Sequence, residues 1–261
     1  MNLPDALTFL PIAGLPEVHP GDDLVRLLDE TLGKSSDVSL RDGDVLVLAQ
    51  KIVSKAENRY VDLDTVEPSA QARELAQRCR KDPRLVELVL RESSEVVRVA
   101  PEVLIVRHRL GFVVANAAID QSNLPPSNRG GERALLLPVD PDASAEQLRL
   151  GLQQRCGVSS AVLISDSFGR PFRLGVCGVC VGCAGLQSLV DIRGHSDRYG
   201  RSLQVTQLAV ADQLCATATL VCGEAAEGIP AVIVRGVPSQ YLSASRNARA
   251  LVRPLSQDLF R

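Results

Sequence analysis

AVLIS, residues 161–165, is the clearest candidate for a strand buried on both faces, because all five residues are apolar or small. VLVL, residues 45–48, is a second run of this kind and follows the turn signal Asp42-Gly43. AVIV, residues 231–234, is another candidate strand near the end of the sequence. Apolar runs without polar alternation are typical of central strands that helices cover on both sides.

Helices are predicted between these strands, from apolar spacing and from helix-starting residues. They cover residues 21–32, 67–80, 83–91, 142–155 and 207–221. Asp22 and Asp23 suit the start of the first helix, and Asp142 is the first residue of the predicted cap of the fourth. Residues 103–106 and 112–115 resemble a strand pair, and residues 135–137 are a further candidate strand.

The alternation of strands and helices predicts an α/β (mixed α+β) fold. We expect one unit of residues 1–261 that could divide into two subdomains and that ends in a helical tail at residues 239–261. The most loop-like stretch is SNRGG, residues 127–131.

The composition excludes several classes of protein. The 29 basic and 31 acidic side chains give a net charge of -2, which provides no electrostatic footprint for nucleic acid or an anionic membrane. No apolar run approaches the roughly 20 residues of a membrane helix, and residues 1–14 carry an acid where a signal peptide would carry Lys or Arg. The seven cysteines fit reduced thiols or ligands better than a disulfide framework. We therefore expect a cytoplasmic protein with a small-molecule partner.

Carboxylates follow two of the predicted strands. Asp120 comes after residues 112–118, and Asp166 directly follows residues 161–165, with Ser167 beside it. Ligands of α/β sheets gather where strands end, and oxygen ligands there would suit Mg²⁺ or Mn²⁺. Glu224, before the strand at residues 231–234, adds a third carboxylate. The alternative is that each aspartate caps a turn or a helix.

Other polar residues near these strands could bind an anion. Arg170 and Arg173 could hold a carboxylate or phosphate in a bidentate way, and Lys55 could meet phosphate. Asn123 could donate or accept near Asp120. Each has an ordinary alternative, since Arg and Lys are common at surfaces and Asn before two prolines is typical turn chemistry.

Several familiar nucleotide-binding and catalytic patterns are missing from the sequence. It has neither a P-loop nor a dinucleotide-binding glycine fingerprint, so a nucleotide must be held in another way. The histidines at 19, 108 and 195 lack zinc-protease spacing and an obvious nucleophilic partner. Hydrolysis by a catalytic triad is therefore not predicted.

Cys177, Cys180 and Cys183 form a Cys-x-x-Cys-x-x-Cys run that resembles part of an iron–sulfur or zinc ligand set. A nearby fourth cysteine is missing. In a regular strand, Cys180 would face opposite to Cys177 and Cys183, so the three thiols could converge only in a loop. Buried small thiols are the favoured interpretation.

The order of the remaining motifs is similar to that of the coenzyme F420-0:L-glutamate ligases, also called F420-0 gamma-glutamyl ligases. The resemblance runs from about residue 10 to residue 236. It rests on LPIAGLP (10–16), PGDDL (20–24), DGD (42–44), KIVSKAE (51–57), ANAAIDQSN (115–123), LPVDPDAS (137–144), SDSFGRPFR (165–173), TQLAVAD (206–212) and IPAVIVRG (229–236).

This resemblance implies a reaction, a nucleotide and a metal. The family's reaction joins L-glutamate to the terminal carboxylate of the deazaflavin F420-0 in an amide, with GTP converted to GDP and phosphate, and later glutamates join through their gamma-carboxylates. An acyl phosphate would be the intermediate, with Mg²⁺ or Mn²⁺, and K⁺ as a further candidate ion. The family also implies an intertwined homodimer.

The resemblance also implies the site residues. The matching metal ligands are Asp120, Asp166, Ser167, where the family usually has Thr, and Glu224. The matching nucleotide contacts are Leu15, Pro16, Glu17, Val18, Gln50, Lys55, Asn123, Gly223, Glu224 and Glu227. Lys55, Asp166, Arg170 and Arg173 are the expected catalytic residues.

One departure from the family concerns the acceptor. Where the family usually reads Gly-Gln-Thr-Asp after its arginine, this chain has Gly175, Val176, Cys177 and Gly178, so three polar side chains are lost. One alternative is therefore a paralogous amide ligase with a changed acceptor. Another is a non-catalytic, Cys-rich protein that binds a metal or an iron–sulfur cluster.

Overall fold

The computed structural model describes residues 6–36, 38–127, 130–242 and 247–258. The described strands are β1 (Thr8–Pro11), β2 (Val45–Ala49), β3 (Tyr60–Asp62), β4 (Ser93–Ala100), β5 (Val103–His108), β6 (Val113–Ala115), β7 (Arg133–Leu135), β8 (Ala161–Arg170), β9 (Arg173–Ala184), β10 (Val190–Asp191), β11 (Gln207–Leu208) and β12 (Ala231–Arg235). The described α-helices are α1 (Leu24–Gly33), α2 (Gln50–Ala56), α3 (Ala70–Cys79), α4 (Pro83–Arg91), α5 (Pro141–Cys156) and α6 (Val210–Cys222). The predicted mixed α/β fold is confirmed.

The three apolar runs of the sequence form the middle of a five-stranded sheet with the strand order β1-β12-β2-β8-β9. β2 and β8 are parallel, and their residues from Val45 to Leu48 and from Ala161 to Ile164 are almost completely buried. The other strand pairs of this sheet are antiparallel. The predicted buried strands are therefore confirmed, but β8 continues five residues beyond its predicted end, as far as Arg170.

Helices cover both faces of this sheet. Leu28 of α1, Val53 of α2 and Leu152 of α5 pack in the core on one face, whereas Leu214 of α6 packs in the core on the other. Residues 50–55, which directly follow β2, form most of helix α2. The sheet with its two helical layers therefore brings the ends of β2 and β8 next to the start of a helix.

Side-chain caps explain where α1 and α5 begin. Asp23 accepts a hydrogen bond from the amide of Arg26, so α1 begins at Leu24 and not at residue 21. The predicted cap of α5 at Asp142 was wrong, because Asp140 accepts from the amide of Ala143 and α5 begins at Pro141. Asp142 instead accepts from the amide of Cys183 in β9.

A three-stranded antiparallel sheet, β4-β5-β6, has a core of its own. The predicted pair of residues 103–106 and 112–115 is confirmed as β5 and β6, whereas β4 was not predicted. α3 and α4 pack on this sheet through Leu75 and Val89. The candidate strand at residues 135–137 overlaps β7 only at Leu135, because β7 covers Arg133–Leu135 and pairs with β3, not with this sheet.

The tail after β12 contains three short 3-10 turns, Ser239–Tyr241, Ala248–Leu251 and Leu255–Gln257. Residues 243–246 and 259–261 of the predicted tail, and residues 128–129 of the predicted loop, lie outside the described residues. In the described part of the chain, none of the helices is long and apolar enough to cross a bilayer.

The cysteine run lies in β9. Its side chains do not alternate regularly between the two faces of the sheet, so the predicted facing of Cys183 was wrong. Ile164 pairs with Gly182 and Ser165 pairs with Cys180, so Val181 is an extra residue on the β9 side. This bulge places Cys180 and Cys183 on the same face, in the core beneath α6. Cys177 pairs with Phe168 on the other face, as predicted relative to Cys180.

Cys180 and Cys183 of this run are buried, whereas Cys177 is only partly buried. Burial raises the pKa of the Cys180 thiol well above its usual value. All seven cysteines are free thiols, and within the described ranges no group of three or more His, Cys, Asp or Glu side chains is arranged to hold a metal ion. The buried-thiol interpretation therefore agrees with the structure.

Candidate functional site

The candidate site is a cavity of about 890 Å³ at the edge of the central sheet, where β2 ends and β8 continues. A volume of this size is within the range, roughly 300–1,000 Å³, that is typical of ligand-binding pockets. Residues of α2, of the segment after β6, and of the loop between α6 and β12 complete its wall. The cavity therefore collects segments that are far apart in the sequence.

The four predicted metal ligands, Asp120, Asp166, Ser167 and Glu224, all line this cavity. Ser167 Oγ donates a hydrogen bond of 2.6 Å to Glu224 Oε1, and the amide of Ser167 donates to Asp166 Oδ1 at 2.9 Å. Asp166 lies within β8 and not at its end, because β8 is longer than predicted. These oxygen atoms surround the cavity without forming a closed cluster of three carboxylates.

The electrostatics of Asp166 indicate that negative charge outweighs positive charge around it. Burial, together with the negative charges of Asp120 and Glu224, raises the pKa of Asp166 to about 7, against the lowering effects of the Ser167 amide and Lys51. Carboxylates that repel one another in this way, with a hydroxyl oxygen beside them, fit a hard divalent cation. The residues present are therefore suited to Mg²⁺ or Mn²⁺.

Asp120 is positioned by an unusual backbone segment. Asn116, Ala117 and Ala118 have consecutive φ angles of 51°, 54° and 55°, in the left-handed region that costs a residue with a side chain roughly 1 kcal/mol. The Asn116 side chain supports this turn by accepting from the amide of Leu104. Directly after it, Asp120 exchanges two backbone hydrogen bonds with Leu135. The direction in which Asp120 leaves the chain is thus fixed from both sides.

The predicted nucleotide contacts are divided between cavity and core. Leu15, Glu17, Gln50, Lys55, Asn123, Gly223, Glu224 and Glu227 line the cavity. Val18 is 2% exposed and packs in the core, and neither it nor Pro16 lines the cavity. Asn123 donates from Nδ2 to the carbonyl of Ala225 at 3.0 Å, so it joins the segment after β6 to the loop after α6.

Lys55 projects from α2 into the cavity, where its Nζ lies 2.5 Å from Glu17 Oε1. The Lys55 side chain is 7% exposed, whereas that of Glu17 is 61% exposed. The counter-ion of the buried ammonium is therefore a solvent-exposed carboxylate. The prediction that Lys55 faces a ligand site, and not open solvent, agrees with this position.

Lys51 is a cavity residue that the sequence analysis did not single out. Its Nζ lies 2.6 Å from Asp120 Oδ2 and donates to the carbonyl and hydroxyl oxygens of Ser122, both at 3.1 Å. Lys51 and Lys55 are four residues apart on α2, which is the spacing that places two side chains on one helix face. That spacing was the signal available in the sequence.

Arg170 and Arg173 are not brought to the cavity by the fold. They lie at the exposed turn between β8 and β9, where Arg170 donates to the carbonyl of Leu174 at 3.2 Å. Phe172 and Leu174 of the same turn are 94% and 98% exposed. Within the single chain, these arginines therefore do not contact the predicted metal ligands.

Two further observations narrow the chemistry of the cavity. Burial, helped by the charge of Glu224, raises the pKa of the Cys222 thiol to about 11, so this thiol stays protonated at neutral pH and is a poor nucleophile. None of the three histidines, all of them in the described ranges, lines the cavity. Neither a thioester route nor a triad is therefore supported here.

Residues 176–178, where this chain lacks three polar side chains of the family, lie in different environments. Val176 lines the cavity, whereas Gly178 faces α6, where a Cβ atom would lie 2.1 Å from Thr219 Oγ1 and 2.6 Å from the carbonyl oxygen of Cys215. A side chain such as Asp does not fit at Gly178 unless α6 moves. The loss at Gly178 therefore belongs to helix packing, whereas the loss at Val176 changes the lining of the cavity.

Comparisons with known proteins identify the family of this chain. The profile of the family F420-0:Gamma-glutamyl ligase matches residues 14–236. The chain is 46% identical to the coenzyme F420:L-glutamate ligase of Methanothermobacter thermautotrophicus, over 98% of this chain and 99% of that protein. It is 46% identical to the protein of the same name from Methanopyrus kandleri, over 94% of each, and 40% identical to that from Methanocaldococcus jannaschii, over 85% of this chain and 86% of the relative. Since the match spans nearly the whole chain, the chain belongs to the F420-0:gamma-glutamyl ligase family.

Proposed function

We propose that this chain is a GTP-dependent ligase that joins L-glutamate to the terminal carboxylate of coenzyme F420-0, and then adds gamma-linked glutamates, in coenzyme F420 biosynthesis. The observation that carries the proposal is the cavity at the sheet edge, with its carboxylates and two α2 lysines, in a chain that matches named coenzyme F420:L-glutamate ligases over nearly its full length. A cytoplasmic location accords with the free thiols.

The charges of the cavity support a nucleotide that arrives with divalent cations. Five carboxylates and two lysines of the described residues line it, so a bare triphosphate would be repelled. Mg²⁺ or Mn²⁺ would neutralise phosphate charge when bound, and Asp120, Asp166, Ser167 and Glu224 would hold it. K⁺ is a further candidate ion.

The chain's own residues account for the positioning of the nucleotide. Lys55 would exchange Glu17 for phosphate oxygens, because the ammonium is buried and the carboxylate is exposed. Asn123 would keep the loop of Gly223 and Glu227 against the ligand through its bond to the Ala225 carbonyl. Leu15 and Gln50 would form the remaining walls.

The proposed reaction has two steps, phosphorylation of the acceptor carboxylate and attack by glutamate. An oxygen of the acceptor carboxylate attacks the terminal phosphorus of GTP, forming an acyl phosphate and releasing GDP. The amine of glutamate then attacks the acyl carbon, phosphate leaves, and the amine loses a proton. The absence of a reactive thiol at Cys222 agrees with a phosphate leaving group.

We also propose a homodimer, supported by the turn between β8 and β9. Phe172 and Leu174 are almost fully exposed in the single chain, and a second copy would cover them. Arg170 and Arg173 on the same turn would then face the partner, where they could hold a substrate carboxylate or phosphate. Light scattering of the purified protein should give twice the mass of one chain, and a monomer at micromolar concentration would contradict this proposal.

The test of the reaction is a direct assay. The protein is incubated with F420-0, L-glutamate, GTP and either Mg²⁺ or Mn²⁺, and the products are examined by mass spectrometry, with ATP in parallel. We expect added glutamyl residues and stoichiometric GDP. Asp166→Asn is the matched control and should give no product. If no glutamate is added with either nucleotide, the proposed activity is wrong, and other carboxylate acceptors should be tried, since Val176 replaces a polar family residue in the cavity.

A further inference from the structure

Oxygen atoms surround the ammonium group of Lys51 in the cavity. Its three contacts are Asp120 Oδ2 at 2.6 Å and the carbonyl and hydroxyl oxygens of Ser122 at 3.1 Å. An ammonium group has three N–H donors, so these three oxygen atoms satisfy it completely. The side chains of Lys51 and Asp120 are 24% and 23% exposed, so the pair is only partly screened by water.

Both carboxylate oxygens of Asp120 already have partners. Oδ1 accepts from the amide of Ser122 at 2.7 Å and from its hydroxyl at 2.8 Å. Oδ2 is the oxygen that Lys51 contacts. A divalent ion that binds Asp120 through Oδ2 would share this oxygen with the ammonium group, and the repulsion between the two positive charges favours loss of the Lys51 contact.

Lys51 differs in this respect from the other lysine of the cavity. Lys55 contacts Glu17, which is not among the predicted metal ligands. Lys51 lies in the first turn of α2, directly after β2, and its charge also acts on Asp166. Of the two lysines, only Lys51 is therefore paired with a carboxylate of the metal site.

We propose that Lys51 is a tethered cation that competes with the divalent ion for Asp120, holding this carboxylate in the nucleotide-free protein and leaving it when the ion binds. The inference rests on the proposed use of a divalent ion. The displaced ammonium remains in a cavity that would then contain phosphate, where it regains a counter-ion. Metal and nucleotide binding are consequently coupled: the ion binds weakly alone and more tightly when a nucleotide receives Lys51.

The test measures Mn²⁺ binding by electron paramagnetic resonance, which reports the free ion, in protein without nucleotide. Lys51→Met should bind Mn²⁺ about tenfold more tightly than the wild type, a coupling of the size usual between sites. Lys51→Arg keeps the charge and should remain close to the wild type. Lys34→Met removes the same charge from the exposed end of α1 and should leave Mn²⁺ affinity unchanged.

A second measurement uses a non-hydrolysable GTP analogue. With the analogue bound, Lys51 has left Asp120 in the wild type too, so the difference between wild type and Lys51→Met should shrink. Lys51→Gln serves in the same way where circular dichroism shows that the Met variant is not folded.

The outcomes separate this inference from the function on which it rests. If Mn²⁺ binds the wild type and both neutral variants equally, or binds the variants more weakly, the competition is wrong and the metal site stands. If Mn²⁺ binds none of the variants and not the wild type, both the metal site and the competition are wrong. The inference is supported only if Lys51→Met and Lys51→Gln bind Mn²⁺ more tightly than the wild type does.

Discussion

Asp166→Asn should change the pH dependence of folding as well as abolish turnover. Burial and neighbouring charges raise the pKa of Asp166 from 3.8 to about 7, and an amide of the same shape can still accept from the Ser167 amide. Because the folded-state pKa lies above the unfolded value, the protonated carboxyl stabilises the folded protein. That stabilisation is complete below pH 3.8 and is lost as the pH rises through 7.

The magnitude follows from the two pKa values. Between pH 8 and pH 5, the wild type should gain about 2–3 kcal/mol of unfolding free energy from Asp166, whereas the Asn variant gains none at this position. At pH 8 the variant should therefore be the more stable protein, and its advantage should shrink toward pH 5. A cation-binding site is expected to behave in this way: replacing one of its carboxylates by a neutral side chain should stabilise the protein when no cation is bound.

The assay is urea unfolding of the nucleotide-free protein with a chelator present, at pH 5, 6, 7 and 8. Glu74→Gln on the exposed surface of α3 is the matched control, since it removes the same charge from a side chain that is 71% exposed, and it should retain the wild-type pH dependence. Parallel pH profiles for wild type and Asp166→Asn would refute the reasoning, because they would mean that Asp166 ionises as an ordinary carboxyl.

Two further predictions concern neighbouring positions. Gly178→Ala should lower the free energy of unfolding by roughly 2 kcal/mol, since the new methyl group would overlap Thr219 and the Cys215 carbonyl, and urea unfolding checks it. Adding Thr219→Ala should recover only part of the loss, because the Cys215 contact is backbone, and full recovery would contradict this packing. Ser167→Ala should lower glutamylation about 10- to 100-fold through loss of the bond to Glu224, whereas Ser167→Thr should retain it in the mass-spectrometric assay. Equal rates for the two variants would show that the hydroxyl has no role.

Much of the fold could be predicted from local patterns. β2, β8 and β12 are confirmed because uninterrupted apolar runs can be satisfied only in the middle of a covered sheet. β4 was missed because it is a mostly exposed strand, and the cap of α5 was misplaced because two aspartates flank Pro141. Local residue spacing does not distinguish an exposed strand from a loop, or the capping aspartate from its neighbour.

The candidate site was predicted in part. Ordered motifs marked the carboxylates and Lys55, and the fold brings them to one cavity. The same motifs gave Pro16, Val18, Arg170 and Arg173, which the single chain places elsewhere. A bulge at Val181 reversed the expected facing of Cys183, since one inserted residue changes every later side chain of a strand.

The sequence by itself determined the family, the buried strands and the identity of most polar groups in the cavity, because these depend on residue type and order. Only the tertiary structure decided which of those groups meet. Lys51 contacts Ser122 across 71 residues, and Ser167 contacts Glu224 across 57. Contacts of this length depend on how the sheet, α2 and the loop after α6 pack together, and packing is a property of the folded chain as a whole.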